Sequence, residues 1–240
     1  RNRIDTLKNL LDEQISKREL QKYRRKKNSD IMISLLGYTN TGKSTLLNKI
    51  TGSNVLSENK LFATLDPTVR KAKFGEIDAL LTDTVGFIKD IPKNLIEAFK
   101  STLESAVFSD LNLIILDATG DWKNELELTR STISSLGSTT PEILVFNKCD
   151  LVSDFSFYPL NAVFISAKTG FGLENLYETI CNFFKNDFVK MVLKVTYADY
   201  GKLTSILNLA TKYEVSYLDT EVLVDLTVRK MHADKFYKYK

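Results

Sequence analysis

The segment Gly37-Tyr38-Thr39-Asn40-Thr41-Gly42-Lys43-Ser44 constrains this chain more than any other. It satisfies G-x-x-x-x-G-K-S, follows the apolar run Ile31–Leu36, and precedes a helix-forming stretch from Lys43 to Ile50. A glycine-bounded loop between strand and helix curls so that successive backbone N–H groups converge. The dipole of the following helix adds positive potential at the same point. Such a loop cradles phosphate: Lys43 can reach the β and γ phosphates of a nucleotide, and the Ser44 hydroxyl can ligate Mg²⁺.

Around that loop the pattern predicts an α/β fold. Val69–Phe74 and Ile77–Thr82 read as adjacent strands about the Gly75-Glu76 turn, and Pro92 opens a helix with Leu95, Phe99, Leu103 and Val107 on one face. Leu113–Asp117 reads as a buried strand and Asp121–Leu136 as a helix. Ile143–Phe146 and Val163–Ile165 are further short strands, and Leu173–Phe184 closes the series as a helix. This alternation predicts a mainly parallel sheet covered on both faces, with ligands at the C-terminal ends of its strands.

Two flanks differ from this centre. Residues 1–29 read as an amphipathic helix with Ile4, Leu7, Leu11 and Ile15 on one stripe, ending in Arg24-Arg25-Lys26-Lys27. That run suits either a solvated helix end or a polyanion contact. The nucleotide-binding domain is expected over 30–187 and a small α+β domain over 188–240, with Met191–Tyr197 a strand, Tyr200–Ala210 helical, Val215–Tyr217 and Val222–Val228 strands, then a basic, aromatic tail. Residues 1–30 hold ten Lys/Arg against five Asp/Glu, residues 31–190 hold 15 against 19, and residues 191–240 hold eight against six. A mildly acidic centre thus sits between basic flanks. Two cysteines, Cys149 and Cys181, and one histidine, His232, leave no material for a disulfide framework, a zinc site or a Ser-His-Asp triad, and favour a reducing, cytoplasmic setting. No apolar run is long enough to span a membrane, and the opening Arg1-Asn2-Arg3, without an initiator methionine, is what a fragment would show.

Asn147-Lys148-Cys149-Asp150, directly after a strand, selects the base. The Asp150 carboxylate can accept from the N1–H and N2–H₂ donors that guanine presents together, whereas adenine would leave it unpaired. Asp83-Thr84-Val85-Gly86 ends another strand, where a carboxylate can hold a Mg²⁺-bound water and the Gly86 N–H can meet a γ-phosphate. Ser166-Ala167-Lys168 ends a third, where the Ala167 N–H can reach guanine O6.

With these motifs in order, the sequence resembles the HflX family, beside the Obg proteins among translation-factor-related GTPases. The carrying stretches are Gly37–Thr45, Leu61–Arg70, Leu81–Phe87 and Ala98–Glu104. The likeness covers roughly residues 1–185; the tail matches only in layout. Two departures stand out: the family's N-terminal domain does not precede the basic helix, and Thr41 replaces the usual alanine before the second loop glycine. The resemblance implies a GTPase switch that cycles between GTP and GDP with Mg²⁺ and binds the large ribosomal subunit and its RNA to help separate stalled ribosomes; a monomer is expected. A nucleotide-dependent regulator of a protein complex without RNA contact is the alternative.

By resemblance, Thr64 in Phe62-Ala63-Thr64-Leu65-Asp66 is the switch threonine that ligates Mg²⁺ with GTP; Thr68 is the competing candidate. Lys43, Thr64 and Gly86 form the catalytic set. Phe87 stands where many GTPases carry a water-orienting glutamine, which phenylalanine cannot replace, so intrinsic turnover is expected to be slow. Asn40 either bonds within its loop or, as in certain cation-dependent relatives, helps hold K⁺ against the phosphates.

Overall fold

The computed structural model describes residues 31–52, 68–75, 77–84, 86 and 107–239. The basic helix expected over 1–29 lies outside these residues, as does the helix opened by Pro92 up to residue 106. Ile31–Phe183 form one compact unit, and the described residues from Phe184 onward belong to a second.

In the first unit six strands form one sheet: β1 (Ile31–Leu36), β2 (Thr68–Phe74), β3 (Ile77–Asp83), β4 (Leu111–Asp117), β5 (Glu142–Asn147) and β6 (Val163–Phe164), in spatial order β2-β3-β1-β4-β5-β6. All neighbours are parallel except β2 and β3, which the Gly75 turn joins as an antiparallel hairpin. All six residues of β1 are buried, as a parallel strand covered on both faces requires. Helices α1 (Lys43–Thr51), α2 (Trp122–Ser135) and α3 (Leu173–Phe184) follow β1, β4 and β6. Leu126 and Ile133 of α2 pack with Ile114, Leu116 and Phe146 in one apolar cluster. The parallel sheet and its helices are those expected from the α/β rhythm. β4 starts two residues before the apolar run suggested, because the Asn112 N–H bonds the Pro141 carbonyl at 2.9 Å and so extends the ladder through a polar residue.

The second unit has strands β7 (Phe188–Thr196), β8 (Ala210–Tyr217) and β9 (Glu221–Arg229) in antiparallel order β7-β9-β8, with α4 (Tyr197–Thr204) and α5 (Lys230–Tyr237). Their apolar residues form a separate core that includes Leu193, Leu203, Val224 and Phe236. One expectation is corrected. The helix expected over Tyr200–Ala210 begins at Tyr197 and ends at Thr204. There the Thr204 and Ser205 hydroxyls donate to the carbonyls of Gly201 and Lys202, and Ala210 already belongs to β8. The basic tail is helical: His232, Ala233 and Phe236 are buried at helical spacing.

Candidate functional site

The chain leaves β1 into Gly37 between β3 on one side and β4 on the other, the point where strand order reverses. Gly37 has φ +143°, and a Cβ there would stand 2.2 Å from the Ile115 carbonyl oxygen of β4, so only glycine lets the loop turn this close to the sheet. Gly42, with φ +94°, begins α1, and its missing Cβ leaves room for Asn147 Nδ2, which would lie 2.2 Å away. Thr41 Oγ1 donates to the Tyr38 carbonyl at 3.0 Å. Tyr38 and Thr41 are buried, Thr39 and Thr45 partly so, and Asn40 is exposed in the left-handed region with φ 64°.

Lys43 is buried, and its Nζ donates to the carbonyls of Gly37 (3.0 Å) and Tyr38 (2.7 Å). Burial pushes its pKa down to about 8 against the pull of the Asp83 and Glu125 carboxylates. Ser44 Oγ donates to Asp83 Oδ2 at 2.7 Å, joining the first turn of α1 to the end of β3. Thr84 Oγ1 donates to the Leu35 carbonyl at 2.6 Å and fixes the strand end beside β1. A Cβ on Gly86 would meet Thr39 N at 2.8 Å and Lys43 Nζ at 2.9 Å, so this glycine lies against the loop. A hydroxyl and a carboxylate meeting beside a buried ammonium form a hard-oxygen set that suits Mg²⁺. Among the described residues no group of three or more His, Cys, Asp or Glu could hold a metal by itself.

The Asn147 carboxamide joins the other half of the site to the loop. Its Nδ2 donates to the Thr41 carbonyl at 2.7 Å, and its Oδ1 accepts from the Ala167 N–H at 2.9 Å. That N–H, which sequence reasoning offers to a base, is therefore bonded to Asn147 here. Ser166 is buried, and its Oγ accepts from the Thr169 N–H at 3.2 Å. Cys149 is buried, and burial, with the Asp150 charge alongside, holds its thiol above the ordinary range. Asp150 and Lys168 are exposed. Lys148 Nζ donates to Asp117 Oδ2 at 2.6 Å.

The structure thus brings Gly37–Thr45, Asp83, Thr84, Gly86, Asn147–Asp150 and Ser166–Lys168 to the C-terminal edge of one sheet. Phe62, Ala63, Thr64, Leu65, Asp66, Val85 and Phe87 lie outside the described residues. Asp117 was missed by the sequence reading. The available signal was a carboxylate ending a buried strand; Asp83 has that placement too, but was singled out with the rest of Asp83–Gly86.

The family of 50S ribosome-binding GTPases matches residues 32–148. "GTPase HflX" of Caldanaerobacter subterraneus subsp. tengcongensis is 45% identical over 183 residues, which are 75% of this chain and 43% of the relative. "GTPase HflX" of Lacrimispora saccharolytica is 38% identical over 236 residues, 95% of this chain and 55% of the relative. The chain belongs to the HflX family of GTPases. It spans about half the length of these HflX relatives. The fold agrees: a GTP-binding protein of Sulfolobus solfataricus, solved in complex with GDP, superposes with a TM-score of 0.53 at 24% identity, covering 73% of this chain and 58% of that one.

Proposed function

We propose that this chain binds GTP and GDP at the Gly37–Ser44 loop, hydrolyses GTP slowly with Mg²⁺, and uses the difference between the two states as a switch on the large ribosomal subunit and its RNA. The observation that carries the nucleotide reading is the Asn147 carboxamide, which holds the Thr41 carbonyl and the Ala167 N–H at once. It joins three motifs that lie between Gly37 and Lys168 in the sequence.

Within this reading the loop N–H groups take the β-phosphate, and Lys43 exchanges its two carbonyl partners for phosphate oxygens. Asp150 accepts the paired donors of guanine, while Cys149 backs the turn. Ser44 and Thr64 would hold Mg²⁺, with Asp83 beside Ser44 as its carboxylate neighbour. When bound, Mg²⁺ offsets the negative charge of the phosphates. Gly86 supplies its N–H to the γ-phosphate. Asn40, exposed and left-handed, either bonds within its loop or helps hold a K⁺ ion. The organisation into a basic helix over 1–29, a GTP-binding domain over 30–187 and a small domain over 188–240, acting as a cytoplasmic monomer, completes the proposal.

Asp150→Asn tests it. An amide pairs poorly with guanine's two donors but suits the extra carbonyl of xanthine, and losing a charged acceptor costs about 1.5–3 kcal/mol. GTP affinity falls at least tenfold and xanthosine triphosphate binding improves in nucleotide titrations. Unchanged GTP affinity would sink the base assignment.

A further inference from the structure

We propose that Asp117 is a positioning residue for guanine recognition: it anchors the Lys148 ammonium so that the lysine stem bridges the ends of β4 and β5 as the floor for a purine beside Asp150. This rests on the guanine-binding reading above and extends it to a residue outside every nucleotide motif.

The strand register opposes Asp117 to Asn147, the last residue of each strand, and the Ala118 N–H continues the ladder to the Asn147 carbonyl at 2.9 Å. Lys148 leaves β5 with φ 64°, one of two non-glycine residues in the left-handed region among those described. Such a conformation persists only where surrounding contacts hold it. Its side chain runs from the end of β5 to the end of β4, where Nζ meets Asp117 Oδ2 at 2.6 Å. The other carboxylate oxygen is occupied as well: Asp117 Oδ1 accepts from Thr119 N at 2.9 Å and Thr119 Oγ1 at 2.7 Å.

Both oxygens are therefore committed, and the carboxylate cannot swing to follow the lysine. The pair is largely sheltered, with 28% of the Lys148 and 18% of the Asp117 side chain exposed. Charge-assisted bonds of this length in a sheltered setting are strong. A lysine held by its head loses most of its rotamers, and its methylenes present a fixed apolar strip. That strip starts one residue from the turn Cys149–Leu151, which carries Asp150. A flat base can then lie on a surface ordered in advance rather than ordering it on arrival.

The test is a double-mutant cycle in this chain, reading GDP affinity and GDP dissociation rate for the unaltered protein, Asp117→Ala, Lys148→Ala and the double variant, with thermal unfolding of each alongside. Asp117→Ala is expected to speed GDP dissociation about tenfold with little change in association rate. Lys148→Ala loses at least as much, and Asp117→Ala adds nothing further in its background. Asp117→Asn, which keeps the Thr119 bonds but lowers the attraction for the ammonium, falls between. Equal losses from Asp117→Ala with and without Lys148 would overturn the anchoring role, as would unchanged dissociation in a folded Asp117→Ala. If the unaltered protein binds GDP and only the coupling is missing, the positioning proposal alone fails. Absence of GDP binding by the unaltered protein would overturn both it and the guanine reading.

Discussion

Lys43 shows what a phosphate site costs the fold that carries it. Its buried ammonium has two backbone carbonyls and no anionic hydrogen-bond partner among the contacts described, and burial lowers its pKa from 10.5 to about 8. At roughly 1.4 kcal/mol per unit, keeping it charged at pH 7 destabilises the unliganded fold by about 3 kcal/mol. The folded pKa lies below that of the unfolded chain, so the unfolded state holds the proton more tightly. The penalty is full below about pH 8 and fades as pH rises toward 10.5. Lys43→Met should abolish nucleotide binding yet raise unliganded stability at pH 7 by about 1–3 kcal/mol, with the gain shrinking above pH 8. Denaturant titrations at pH 7 and 9.5 read both effects; a destabilised Met variant at pH 7 would contradict the assignment. Glycines behave oppositely. Gly37→Ala sets a methyl 2.2 Å from a carbonyl oxygen at a positive φ, and should lower stability by several kcal/mol and remove GDP binding together in calorimetric melts.

At the level of elements, what could be read from the sequence were features with a period or a fixed spacing. β1 announces itself as six consecutive apolar or small residues, α1 as the stretch after a glycine, and Asp83 as a carboxylate closing a strand. The Asp117–Lys148 pair has no such signature, since 31 residues separate partners that only the β4–β5 register brings together. α5 was hidden differently: its two lysines and terminal tyrosine mask a short buried stripe whose value depends on β7 and β9 being present. That dependence gives a prediction. Phe236 is fully buried in the second core, and Phe236→Ala should cost about 3–5 kcal/mol. Hydrogen exchange would show lost protection over 188–237 while the sheet of residues 31–183 keeps its own; uniform protection across both would show that α5 contributes nothing to that core.

For the molecule as a whole, charge distribution bears on the proposed partner more than fold does. Both termini are basic and the nucleotide-binding centre is mildly acidic, so an RNA surface would draw the flanks rather than the site. Co-sedimentation with large ribosomal subunits should therefore favour a GTP analogue over GDP and fall by orders of magnitude between about 50 and 200 mM salt. Binding that ignores both nucleotide and salt would favour the reading without RNA contact. The Asn147 carboxamide has one more consequence, for the order in which the molecule comes into being. Its partners lie 106 residues before it and 20 residues after it. A growing polypeptide that has emerged only as far as β4 has its phosphate loop but nothing to grip Thr41, and long-range closures of this kind form late. On the proposed reading the guanine site is incomplete until Ala167 has left the exit tunnel, so a growing chain gains nucleotide sensing only after nearly all of the sheet of residues 31–183 has emerged.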